Sequence, residues 1–129
     1  FLEVMIEHDI SYDIRGAAFK VHSNLGPGLL ESVYEIALKH ELEKMGYNVK
    51  SQIGLPVIYD DIKLDIGFRM DLLVNDLVVI EIKSVHALAE VHHKQVLTYL
   101  KLSGKKLGLL INFNVSTMKD SIIRIVNNL

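Results

Sequence analysis

The chain has no cysteine. That excludes disulfides and thiolate metal sites, and it fits a reducing compartment, with the cytoplasm as the expected location. It also lacks proline-rich or serine-rich stretches and runs of one charge, while half of its residues are hydrophobic and 23% are charged, so a soluble globular protein is expected rather than a disordered one. Long apolar runs are missing too. The longest, such as "LVVI" and "LGLLI", fall far short of the roughly 18–20 residues a membrane span needs, and "FLEVMIEHDI" carries acids where a signal peptide would carry positive charge, so no membrane role is expected. Fourteen Lys+Arg against 16 Asp+Glu give a net charge of −2, which provides no global field for a polyanion. Any nucleic-acid interaction must therefore rest on local geometry. At 129 residues, one domain covering 1–129 is expected, without repeats or linkers.

What is present is a sharp change of pattern along the chain. From Asp9 to Ser23, Ile10, Ile14, Ala17, Ala18 and Val21 recur at helical spacing, with Asp9 or Ser11 as the cap. Gly26-Pro27-Gly28 then breaks the chain and restarts a second helix, whose first turn holds Leu29, Leu30 and Glu31 and which runs to about Lys44, with Gly46 as the stop. From Tyr47 to Ser84 β-branched residues alternate with polar ones, with turn signals at Asp60-Asp61 and Asn75-Asp76, predicting a three-stranded antiparallel meander. "VHALAEVHHKQVLTYLKLSG" predicts a third helix ending near Gly104, and "KLGLLINF" a strand buried on both faces, parallel to the third strand. "STMKDSIIRIVNNL" is expected to close the chain as a helix capped by Ser116 or Thr117.

Within the meander, "GFRMDLLVNDLVVIEIKS" places charge at central strand positions. Alternation puts Glu81 and Lys83 on one face and Ile80 and Ile82 on the other. A two-residue turn would pair Asp71 with Ile80 and aim it away. A three-residue loop or a bulge would instead oppose Asp71 to Glu81 and Arg69 to Lys83. Directly opposed like charges cost some tenths of a kcal/mol up to about 1 kcal/mol. A divalent cation between the carboxylates offsets that cost, and Lys83 beside it suits the stabilisation of charge on a phosphate. The competing meaning of E-x-K on a strand is an exposed, salt-bridged face, but acids and a lysine among apolar strands are costly to bury.

Asp71 followed by a hairpin and then Glu81-x-Lys83 resembles the PD-(D/E)XK nuclease superfamily, with Met70-Asp71 in place of its Pro-Asp. The chain is most similar to the small GxxExxY family, whose motif is "GLLESVY", comprising Gly28, Glu31 and Tyr34. The resemblance spans about Ile10 to Val126 and includes "LTYLKLSGKKLGLLINFNV". It implies an α/β, restriction-endonuclease-like core of order α-α-β-β-β-α-β-α, a mixed sheet flanked by helices. It also implies a nuclease site dependent on Mg²⁺ or Mn²⁺, with Asp71, Glu81 and Glu31 as metal ligands and those three with Lys83 as catalytic residues. Nucleic acid is the implied partner, DNA ahead of RNA, and a chain this small is expected to need a homodimer or a partner to grip a duplex.

Other residues carry two meanings. Glu31 shares a helix face with Tyr34, Glu35 and Leu38, but a first-turn glutamate also favours the helix dipole, and Tyr34 is suited equally to the substrate and to the core. His92, Gln95 and Tyr99 form one stripe that looks like the Q-x-x-x-Y element of exonuclease branches, implying substrate contact, whereas His93 points about 100° away and is expected at the surface. Lys101, Lys105 and Lys106 complement the end of the third helix, with phosphate contact as the alternative. From a different functional class, a non-catalytic binding or assembly module on the same fold is the rival expectation.

Overall fold

A computed structural model describes residues 6–64 and 67–129 in full and the backbone alone at 2–5 and 65–66. Helix α1 spans Leu2–Leu25 and α2 Glu31–Lys44, followed by strands β1 (Val49–Tyr59), β2 (Ile62–Val74) and β3 (Val78–Lys83). Helix α3 (Glu90–Ser103), β4 (Leu107–Asn112) and β5 (Ile122–Val126) complete the order. The five strands form one mixed sheet in the order β1-β2-β3-β4-β5, antiparallel except for the parallel β3–β4 pair.

The apolar periodicity of α1 holds: Ile10, Ile14, Ala17, Ala18 and Val21 are all buried. They pack with Tyr34, Leu38 and Leu42 of α2 against Leu72, Val74, Val78, Ile80 and Ile82 on one sheet face. The opposite face carries α3, whose Val96, Tyr99 and Leu100 meet Leu73, Val79 and Leu110. Gly108 permits that approach, because a Cβ there would lie 2.8 Å from Val96 Cγ1. Helix α3 ends on Gly104 in the left-handed region (φ +71°), a conformation glycine adopts without strain.

Two expectations about elements are corrected. Helix α1 already runs through Asp9 and Ser11, so neither caps it. The chain's last segment forms β5, antiparallel to β4, instead of a helix. "IIRIV" suits either period, and its β-branched content and the open edge of β4 decide for strand.

Candidate active site

The β2–β3 hairpin fixes the register. Leu72 pairs with Ile80, Leu73 with Val79 and Val74 with Val78, which leaves a three-residue loop, Asn75 to Leu77. This is the longer loop that continued register needs to bring Asp71 level with Glu81. The expected pairing of Arg69 with Lys83 does not form, because the ladder stops at Leu72. There the Asp71 carboxylate takes over from the backbone, and its Oδ2 accepts the Ile82 N–H at 2.8 Å.

The neighbouring strand shows why β2 leaves the ladder at this point. In β1, Val49 packs in the α1/α2 core while Ile53 and Leu55, of the same parity, pack against the α3 side. In β2, Leu72 and Val74 belong to the first core whereas Met70 belongs to the second. Both strands therefore exchange faces at the same step, between Ser51↔Leu72 and Ile53↔Met70. Gln52 sits there with φ +53°, a left-handed conformation that costs a non-glycine residue on the order of 1 kcal/mol. Its Nε2 donates to Glu35 Oε1 at 2.7 Å and lies 3.4 Å from Asp71 Oδ1. A turn in the strand pair thus aims Asp71 at the end of β3.

Glu81 is 4% exposed, and the Lys83 Nζ approaches its Oε2 at 3.4 Å. Its Oε1 is buried without a hydrogen-bond partner. Burial first, and then the Asp71 charge, push the Glu81 carboxyl up to about 8, against the pull of Lys83. Burial also raises Asp71, opposed by the Ile82 N–H, Lys83, the Glu81 carboxyl within sharing distance of a proton, and Gln52. Near neutral pH Lys83 therefore contacts a largely neutral Glu81. The site is a pair of hard oxygen donors with an unsatisfied buried oxygen and a cation alongside, which suits a Mg²⁺- or Mn²⁺-type ion.

Helix α3 borders this pair. Gln95 Nε2 donates to Tyr99 Oη at 2.8 Å. The Tyr99 hydroxyl is pushed up to about 12, chiefly by burial and next by Glu81, with Asp71 adding to the effect. Helix α2 contributes Glu35, raised by burial and by Asp71 and lowered by Gln52 and Lys39. Neither Gln52 nor Glu35 stood out in the sequence as a site residue. Glu35 was legible only as a neighbour on the Glu31 face, and nothing in a Gln-Ile pair announces a left-handed backbone.

The glutamate and tyrosine of "GLLESVY" form a clamp with the loop that precedes them. Glu31 is exposed, and its Oε2 accepts the Ser84 N–H at 3.1 Å. Ser84 Oγ donates to the Leu29 carbonyl at 2.7 Å. Tyr34 is fully buried, stacked on Phe113 at 4.5 Å, and its hydroxyl donates to Gly26 O and accepts from Leu29 N–H. Phe113 N–H in turn donates to the Lys83 carbonyl at 2.9 Å. Just beyond, buried Asn112 accepts the Val85 N–H and donates to the Val85 carbonyl. The backbone from Lys83 to Val85 is thereby held by the α1–α2 loop, the start of α2 and the end of β4.

Several sequence expectations change accordingly. Among the described residues no group of three or more His, Cys, Asp or Glu side chains is placed to hold a metal ion, and the exposed Glu31 carboxylate accepts the Ser84 N–H. Tyr34 cannot touch a substrate, since it has no exposed surface and both its hydrogen bonds go to the loop backbone. The His92 ring turns back to the helix start, where Nδ1 accepts the Ala89 N–H at 2.9 Å. His93 is half-buried with an unpartnered Nε2, not at the surface, because it lies three residues before Val96 on the same helix face. Lys105 and Lys106 line a cleft with Leu77 just before β3, about 20 Å from Lys83 by strand rise, which fits the helix-end role better than phosphate contact.

Neither the curated proteins nor the solved structures contain a match to this chain. The family model described as the PD-(D/E)XK nuclease superfamily matches residues 8–125, nearly the whole chain and all of the site just described, and the chain belongs to that superfamily.

Proposed function

We propose that the protein is a metal-dependent nuclease of the GxxExxY branch, hydrolysing nucleic-acid phosphodiesters, with DNA ahead of RNA. The observation that carries this reading is the buried Asp71–Glu81 pair with its unpartnered Glu81 Oε1 beside Lys83. An apolar sheet has no structural need for such a group, since leaving a buried polar atom unsatisfied costs about 1–3 kcal/mol.

Asp71 and Glu81 would hold Mg²⁺ or Mn²⁺. Bound there, the cation supplies an acidified water and neutralises phosphate charge. Lys83, held through the backbone that follows it, stabilises the negative charge that builds on the phosphate oxygens as water attacks phosphorus and the P–O bond to the leaving oxygen breaks. Gln95 and Tyr99 support the site from α3, with the glutamine orienting the tyrosine hydroxyl. Glu31 acts as a positioning residue for Lys83 through Ser84, and Gln52 does so for Asp71.

Incubation with labelled single- and double-stranded DNA and RNA in Mg²⁺ or Mn²⁺ tests the reading. Wild type should cleave, and Lys83→Ala and Glu81→Gln should each lose activity by at least a hundredfold while staying folded. Equal cleavage by wild type and both variants contradicts the assignment. Folded wild type that cleaves none of the substrates favours the non-catalytic module.

A further inference from the structure

Past Leu72, the last residue of β2 that pairs with β3, strands β1 and β2 continue alone, and their pairs Val57↔Leu64, Ile58↔Lys63 and Tyr59↔Ile62 form a two-stranded arm. The arm turns tightly. Asp60 and Asp61 both take positive φ (+52° and +63°), the primed hairpin turn whose twist matches the strands it joins, and aspartate tolerates that region better than most residues. Side chains alternate along a strand and cross-strand partners share a face, so Val57, Tyr59, Ile62 and Leu64 lie together on one face and Ile58 and Lys63 on the other. The first face holds no charge.

No other element covers that face among the described residues. None of its four side chains belongs to either core, and Tyr59 and Ile62 are 71% and 60% exposed. Together the four leave on the order of 400 Å² of mostly apolar surface in water, the size of the largest patch a monomer usually shows. A two-stranded hairpin is marginal in water by itself, so packing this face stabilises the arm.

The surroundings of the face select its occupant. By sequence the stretch from Pro56 to Arg69 holds three acids, Asp60, Asp61 and Asp65, and two cations, Lys63 and Arg69, one charge from neutral. It gives a polyanion no attraction and another copy of itself little repulsion. Strand β1 is the edge of the sheet, and Pro56, where the register shifts, has no N–H to donate, which hinders pairing edge to edge and leaves the face. Two such arms packed face to face about a two-fold axis make an isologous contact that closes at two copies. Run antiparallel, they bring the Asp60-Asp61 tip of each toward the Arg69 end of the other, so opposite charges meet at both ends of the contact. The four side chains of each copy bury about 800 Å² in all, before any backbone is counted, which is the size of a weak, reversible interface.

We propose that this face of the arm is the contact between two copies of the chain in a reversible dimer. The arm leaves the sheet beside Gln52, whose amide reaches Asp71, so the contact joins the copies next to their two candidate sites. It does not rest on the nuclease reading.

Sedimentation velocity on the full chain from about 1 μM to about 300 μM tests the proposal. Wild type should move from the 14.6 kDa monomer toward twice that mass across the range. Ile62→Lys, which puts a charge into the apolar face, and Tyr59→Ser should each weaken association at least tenfold, with the melting temperature of the dilute monomer within about 2 °C of wild type because both residues are exposed there. Ile58→Lys, on the opposite face, should associate as wild type does. Because the chain has no cysteine, Leu64→Cys and Lys63→Cys each carry a single thiol, and a short bis-maleimide should join two copies of the first at least fivefold more than of the second. A wild type that stays monomeric throughout overturns the proposal, as does association that Ile62→Lys leaves unchanged or that Ile58→Lys weakens equally.

Discussion

Replacing Glu81 by glutamine should change how stability depends on pH more than it changes stability itself. In the folded protein the Glu81 carboxyl is raised from 4.5 to about 8, by burial and then by Asp71. The folded state therefore holds this proton more tightly than the unfolded state does. The stability it contributes is complete below about pH 4.5 and is lost as pH rises through about 8. At about 1.4 kcal/mol per unit the full span is on the order of 5 kcal/mol, with the coupling to Asp71 shared between the two groups. For a chain of this size each kcal/mol moves the melting temperature by roughly 3–4 °C, so metal-free wild type should lose on the order of 10 °C relative to Glu81→Gln between pH 5 and 8.5. The glutamine keeps the shape and cannot ionise. Thermal melts of both proteins in EDTA across that range give the difference curve, in which other titrating groups cancel. A flat difference, or wild type gaining on the variant as pH rises, would refute the idea that Glu81 is buried against Asp71 at a cost.

Saturating Mn²⁺ should reverse that trend: a cation that binds only the folded state adds about 2.7 kcal/mol at a hundredfold excess over Kd, and the rise in melting temperature should grow from pH 6 to 8 in wild type and vanish in Glu81→Gln. Tyr34→Phe removes the hydroxyl that joins Gly26 O to Leu29 N–H, so chemical denaturation should show a loss of about 1–3 kcal/mol with the Mn²⁺ response intact. Gly108→Ala places a Cβ 2.8 Å from Val96 Cγ1 and should cost about 1–3 kcal/mol, with Val96→Ala in the same chain recovering part of the loss.

How much of this was legible in the sequence differs by residue. The α1 stripe was, because five apolar residues at helical spacing leave one burial geometry. So in part was the hairpin loop, since a three-residue loop or a bulge lets Asp71 and Glu81 share a face, and the structure has the loop. The end of the chain was not, because Ile122, Ile123, Ile125 and Val126 satisfy helix and strand periods alike and the open edge of β4 decides. The roles of Glu31, Tyr34 and His92 were hidden for another reason: each bonds a backbone group, on Ser84, on Gly26 and Leu29, or on Ala89, and side-chain chemistry does not reveal which main-chain donor or acceptor lies nearby. Gln52 was the least visible. Its left-handed backbone arises from two strands changing faces together, a tertiary event with no local sequence cause.

Calorimetric titration of Mn²⁺ into the protein at pH 7, repeated in buffers of different ionisation enthalpy, tests the metal centre most directly. With Glu81 raised to about 8, most molecules must shed its proton to accept the ion, so binding should release close to one proton per metal, falling toward zero at pH 9.5. Glu81→Gln should bind far more weakly and release none. Tight binding by both proteins without proton release, or no binding by wild type, would contradict a metal centre built on Asp71 and Glu81.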